Sequence, residues 1–314
     1  MQTINFLLIH KTPSENEKKI IKYLLFLLVL PWLLAPFIYK NLENPTNFIL
    51  IVGFLYMPLP AIITLLFLKK KKKIFEVFSS GKTKFKYILH ALLLVYVFNI
   101  INIFVIYLCG NILEINSFGY LNFEAVTLQK NLNKITFLKN ENINVGNFNH
   151  LKFIILVLLS PLIGLLNLPF AIGEEFAWRG YLYNKINKTN RIMHNLKIGL
   201  IWGIWHAPII LMGYNFPSSN PFLGLLVFIV FTCFVSLLFF YLREKSNSII
   251  APSVFHGSFN SSVIFITLFV ENGNSLFSNP VGISGIITVM IIYFLFFKKF
   301  LQEINTEIKI KTQL

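Results

Sequence analysis

The sequence predicts an all-α, polytopic integral membrane protein with eight transmembrane helices and both termini cytoplasmic. Three observations predict it. The 314 residues are 55% hydrophobic with a mean hydropathy of +0.67, above the apolar content of ordinary soluble domains. Positive charge gathers in every second connection between long apolar runs, and the few ionisable residues inside those runs fall in its central part. Lys and Arg number 28 against 13 Asp and Glu, a balance of +15. Because these charges punctuate apolar segments, they read as topology signals and as attraction to anionic lipid. No basic face suited to nucleic acid emerges, so that class of partner is excluded.

A hydrocarbon core about 30 Å thick is crossed by about 20 apolar residues in helix. Runs of that kind cover roughly 20–39, 47–68, 87–109, 151–183, 195–213, 221–242, 248–270 and 280–298. Lys11, Lys18, Lys19 and Lys22 precede the first; Lys69 to Lys73, Lys82, Lys84 and Lys86 follow the second. Arg179, Lys185, Lys188 and Arg191 follow the fourth, Arg243 and Lys245 the sixth, Lys298 and Lys299 the eighth. The alternate short loops hold Lys40 alone or no basic residue, so one orientation satisfies all of them. Residues 1–19 then form a cytoplasmic N-terminal segment and the Asn-rich connection 110–150 a long extracytoplasmic loop, partly disordered or lying along the outer surface. Long loops translocate largely regardless of charge, so its mixed Lys and Glu do not oppose this arrangement.

No internal repeat of fixed period is visible, and 1–314 is expected to be a single membrane domain with a motif-bearing core at 151–270. The first apolar run lacks a small-residue cleavage pattern and is long enough to span, so it is expected to remain in the mature protein. Cys109 and Cys233 both lie in apolar runs and read as small buried residues, which excludes a disulfide framework or a cysteine zinc site. Frequent Lys, Asn, Ile and Phe point to a bacterial cell membrane.

An ionisable side chain at a membrane helix centre costs about 2.5–3.5 kcal/mol on the insertion scale, so each one needs a reason. In the fourth run, Glu174, Glu175 and Arg179 interrupt apolar sequence. Glu175 and Arg179 are four apart, acid first, the favourable orientation for an ion pair on one helical face. Glu174 lies about 100° around and can point elsewhere; a carboxyl in a poorly solvated cavity is poised for general acid or base work. The fifth run adds Trp202 and His206 and the seventh His256 and Asn260, the latter pair one turn apart on one face. At 1.5 Å per residue, Glu174 and His206 lie about 16 Å from the cytoplasmic ends of their spans, His256 about 12 Å and Asn260 about 18 Å, a common level. The fourth helix is then overlong, tilted or broken, with Pro161 and Pro169 as causes. Gly199 and Gly203 form a small-xxx-small pattern that admits a neighbouring backbone, while Pro208 and Pro252 can open space near the histidines.

Glu174-Glu175-x-x-x-Arg179, Trp202-x-x-x-His206 and His256-x-x-x-Asn260, in that order on successive helices, resemble the three motifs of the CAAX prenyl protease and bacteriocin-processing family, also called the Abi family. Its second motif usually carries Phe where this chain has Trp202, a swap that keeps an aromatic wall. The resemblance implies an intramembrane endopeptidase in which Glu174 and His206 activate the attacking water. It implies further that His256 and Asn260 stabilise the oxyanion while Glu175, Arg179 and Trp202 support the site. The residue chemistry reads the same way. No cofactor is expected, although Glu174, Glu175, His206 and His256 can also be read as a zinc set; HExxH is absent from the sequence. The expected partners are the bilayer and a peptide or protein substrate, lipidated or not. A non-enzymatic bacteriocin immunity or scaffold protein using the same pocket, and a proton-linked transporter, are the competing readings, the transporter disfavoured because no inverted repeat is visible.

Overall fold

Apolar runs long enough to satisfy their own backbone as helix dominate the architecture. The computed structural model describes residues 14–41, 51–68, 72–133, 148–185, 191–217 and 219–298, with positions 44, 47, 145, 146, 300 and 302. Lys11, Lys69 to Lys71, Lys188, Lys299 and the stretch 134–144 of the long connection lie outside the described residues.

Among the described residues, five helices are long and apolar enough to cross a membrane: Glu15–Lys40, Lys86–Ile112, His150–Lys185, Pro221–Ser246 and Ser275–Phe297. Helix α1 (Glu15–Lys40) starts at a capping box in which Ser14 and Glu17 bond reciprocally, satisfying two of the orphan amides of its first turn. A shorter apolar helix, Ile51–Phe67, is π-wound over Ile51–Tyr56 and continues as α2 (Leu59–Phe67). The short α3 (Lys72–Phe78) leads into α4 (Lys86–Ile106). Leu25, Leu33, Phe37, Leu89, Ile100, Phe104, Leu158, Phe222 and Leu226 are exposed along α1, α4 and their neighbours, an apolar exterior suited to lipid.

The fourth apolar run is one 36-residue rod whose winding changes along its length. Helix α6 (His150–Ile163) tightens to a 3-10 turn at Gly164–Asn167, resumes as α7 (Leu168–Glu175) and widens to a π-turn at Phe176–Leu182. The first interruption falls between Pro161 and Pro169, and Pro169 enters the first turn of α7, where its missing N–H costs no helical bond.

The fifth and seventh runs are helical but are not among the five. Helix α8 (Arg191–Trp205) stops after 15 residues because Pro208 cannot donate back to the preceding turn; the chain turns at His206 and resumes as α9 (Ala207–Ile210). Helix α11 (Ile250–Thr267) has 18 residues and carries Ser253, His256, Ser258, Asn260 and Ser262. Every residue from Ala251 to Phe259 is buried, because α4, α6, α7 and α10 (Pro221–Ser246) pack around it. Protein, not lipid, surrounds its polar groups, which is the condition under which they are tolerated at membrane depth.

Close backbone approach fixes two of these contacts. A Cβ at Gly199 or Gly203 would come within 2.4–2.9 Å of Thr232, Cys233 and Ile229, so the small-xxx-small stripe of α8 is where α10 crosses. A Cβ at Gly164 would sit 2.5 Å from the Cα of Ser258, seating the 3-10 turn against α11. Asn102 donates to Ser284 and Thr288 and Ser262 donates to Asn99, binding α4 to α11 and to α12 (Ile283–Ile292).

The described part of the long connection is folded. Strand β1 (Tyr120–Leu121) pairs antiparallel with β2 (Val270–Glu271), and α5 (Ala125–Leu132) follows it. Ile106, Leu121, Leu128, Phe153, Phe269 and Val270 form a small core under this cap. Glu271 accepts 2.9 Å bonds from Asn122 and Thr127 and pairs with Lys130 at 3.6 Å.

Two outcomes follow. Gly203→Leu should lower the apparent melting temperature in detergent by several degrees, since overpacking typically costs about 1–3 kcal/mol, whereas Gly53→Ala, whose Cβ would meet only ordinary contacts at 3.7 Å, should not. Bonds from Asn122 and Thr127 hold the Glu271 carboxyl below its usual range. Its contribution is therefore present above the ordinary carboxylate range and lost as pH falls through it. Hydrogen exchange at Leu121 and Val270 should speed up under acid in the wild type, and Glu271→Gln should remove that dependence.

Candidate active site

The fourth run supplies the charges. Glu175 and Arg179, each without solvent exposure, pair at 3.0 Å as their spacing predicts. Arg179 also donates to Ser236 on α10 at 3.1 Å, and its guanidinium lies over the rings of Phe239 at 4.0 Å and Trp202 at 4.8 Å. Two aromatic faces and a carboxylate thus take the place of water around a buried cation. Gly180 lets α3 press on this turn: a Cβ there would lie 2.3 Å from Val77.

Glu174 faces a different neighbour, as its one-residue offset requires. It is 2% exposed, and its Oε2 accepts the indole N–H of Trp202 at 3.0 Å and of Trp178 at 3.3 Å. Among the described residues nothing donates to its Oε1. Tyr56 and Tyr214 stand within electrostatic range of it, and Tyr56 is itself held by a 2.8 Å bond to the Trp205 carbonyl.

The two imidazoles are oriented by acceptors of different kinds. Nδ1 of His206 lies 2.8 Å from the Trp202 carbonyl, and Nδ1 of His256 lies 2.8 Å from Oε1 of Glu175. Both partners can only accept, so each Nδ1 carries the proton and each Nε2 is the nitrogen left for chemistry. His256 is 2% exposed and His206 half-buried in the bend between α8 and α9. Trp202 stands between them, with ring centroids 5.8 Å from His206 and 5.4 Å from His256.

Six of the seven residues singled out in the sequence, Glu174, Glu175, Arg179, Trp202, His206 and His256, therefore form one contact network. Asn260, one turn beyond His256, is half-buried and makes no hydrogen bond among the described residues. Its amide is not joined to the network. Trp178, Ser236 and Phe239 take part without having been singled out. Trp178 was within reach of spacing, four residues after Glu174; Ser236 and Phe239 come from α10, and no local pattern joins them to the fourth run. Among the described residues no three His, Cys, Asp or Glu side chains are grouped as a metal site. Within the residues read as a zinc set, Oε1 of Glu175 is engaged by Arg179 and His256, which leaves Glu175 Oε2, Glu174 Oε1, His206 Nε2 and His256 Nε2 as the free donor atoms among the described residues.

A search of curated proteins returned no match. Residues 150–262, about a third of the chain, match the profile of a family described as type II CAAX prenyl endopeptidase Rce1-like. The match runs from the first turn of α6 to the turn of α11 just beyond Asn260, enclosing all three motifs. Over this segment the chain is similar to the Rce1-like family of membrane endopeptidases.

Proposed function

We propose that this protein is an intramembrane endopeptidase that hydrolyses a peptide bond with water activated by Glu174 and His206. The observation that carries this reading is the pairing of a buried carboxyl, one oxygen held by two indoles and the other unengaged, with two imidazoles that both present Nε2. His206, bonded at Nδ1 to a neutral carbonyl, offers a bare Nε2 lone pair suited to a base. His256, bonded at Nδ1 to a carboxylate, can offer an N–H at Nε2 when its ring is doubly protonated. A proton from water passes to Glu174 with help from His206 while the oxygen bonds to the scissile carbonyl carbon. His256, with the Asn260 amide, then donates to the resulting oxyanion. On collapse the C–N bond breaks, the proton passes to the leaving nitrogen, and the products are a carboxylic acid and an amine. Glu175, Arg179 and Trp202 hold these groups in place.

The same proposal includes eight spans with both termini cytoplasmic in a bacterial cell membrane. The short α8 with α9, and the polar α11, serve as spans because other helices shield them, and the lysine-rich connections then all share the cytoplasmic side. The substrate is a peptide or protein segment, lipidated or not, entering from that side. The step needs no metal, because the two histidines and Glu174 supply both base and oxyanion donors.

Peptides from cells carrying the wild type or Glu174→Gln should differ, and the peptide so identified is the substrate for purified protein. Glu174→Gln and His206→Ala should each lower kcat by about 10²–10⁴-fold, the range for loss of general acid–base catalysis, with the melting temperature little changed. Wild-type kcat should be bell-shaped in pH, falling in acid as Glu174 and His206 gain protons and in base as His256 loses one. Unchanged cleavage by Glu174→Gln removes the proposed base; cellular protection that survives both substitutions but not deletion identifies a binding protein instead. A strong zinc chelator should leave the cleavage rate unaltered, and loss that added zinc restores would move the donor atoms named above to a metal site.

A further inference from the structure

We infer that Arg243, outside the three motifs, is a positioning residue for the active site, acting through the π-turn that carries Arg179. Arg243 lies near the end of α10 and is 1% exposed, yet no carboxylate pairs with it among the described residues. Its Nε donates to the backbone carbonyl of Arg179 at 2.9 Å and its Nη1 to Ser80 at 3.1 Å, while its guanidinium lies 5.0 Å from the Tyr183 ring centre. Nη2 has no partner. Burying a guanidinium without a counter-charge is unfavourable for folding, and an apolar side chain of similar size would serve packing as well or better. The bond to Arg179 gives it another purpose.

Single π-turns inside α-helices recur at functional sites. Relaxing this one to ordinary winding would rotate Arg179 about the helix axis relative to Glu174 and Glu175. Arg179 holds Glu175, and Glu175 holds Nδ1 of His256, so the winding sets the orientation of the imidazole. Arg243 pins a carbonyl of that turn with a charged donor. Its own position is fixed through Ser80, whose segment is strapped to the link between α10 and α11. Ser80 N bonds to the Asn247 carbonyl at 3.0 Å, Ser79 Oγ to the same carbonyl at 2.8 Å and Lys84 N to the Ser246 carbonyl at 2.9 Å.

The test compares Arg243→Met, Arg243→Lys and Ser80→Ala in purified protein, reading melting temperature, kcat, KM and the NMR titration of isotope-labelled His256. This inference rests on the proteolytic reading for its kinetic arm only. The His256 titration reports on the Glu174, Glu175, Arg179 and His206 surroundings whether or not peptide is cleaved, so the two readings fail separately. Arg243→Met should keep or raise the melting temperature while kcat falls at least tenfold with KM within about twofold. His256 should titrate at lower pH, carrying the basic limb of the kcat profile with it. Arg243→Lys replaces the planar two-nitrogen fork by a single ammonium and should not rescue either readout. Ser80→Ala should fold normally and lose a few-fold in kcat. Wild-type titration and kcat in Arg243→Met overturn the inference; should that variant not fold, wild-type values of both in Ser80→Ala overturn it.

Discussion

Two charges without solvent exposure, Glu175 and Arg179, must compensate each other before any other group of the site can be placed. Desolvating an ion pair is costly and is offset as further groups engage it. Here Ser236, the faces of Trp202 and Phe239, and Nδ1 of His256 do so, while Glu175 Oε2 and Arg179 Nε stay unpartnered among the described residues. The packing of α10 and α11 against the fourth run is thereby specified by chemistry as well as by shape. Gly199 and Gly203 bring α8 onto α10 closely enough for Trp202 to reach both Glu174 and Arg179.

What was legible in the sequence is what depends on neighbours along the chain. The Glu175–Arg179 pair follows from a four-residue spacing, the interruption of the fourth run from Pro161 and Pro169, and the bend at His206 from Pro208. The π-turn Phe176–Leu182 was not legible, because its winding is set from outside: Val77 presses at Gly180 and Arg243 holds the Arg179 carbonyl. The bond from His256 to Glu175 joins residues 81 positions apart, and no spacing rule reaches that far. The pairing of β1 with β2 was hidden for a related reason. Two-residue strands carry no alternation, and their partner lies beyond the seven helices α5 to α11.

Hydropathy set α11 apart from the longer helices, for a reason the packing supplies. Helix α11 is polar for a membrane helix and central in the fold, whereas α1 is apolar and mostly exposed. A polar helix in this setting is affordable only where other helices satisfy it, so the least membrane-like segment marks the middle of the protein. Among the described residues the long apolar helices number five against eight apolar runs, because the helix of the second run and α8 are short and α11 is polar.

Trp202 shows what a resemblance alone conceals. Read as an aromatic exchange for the Phe usual in the second motif, it changes little beyond size. In place, its indole N–H donates to Oε2 of Glu174 at 3.0 Å, a bond phenylalanine cannot make, and Trp178 adds a second donor to the same oxygen. Hydrogen bonds to a carboxyl oxygen favour the ionised form, while enclosure without water opposes it. The two indoles occupy Oε2 and leave Oε1 without a donor among the described residues. At this position the aromatic side chain does more than supply bulk, because it engages one oxygen of Glu174 and not the other.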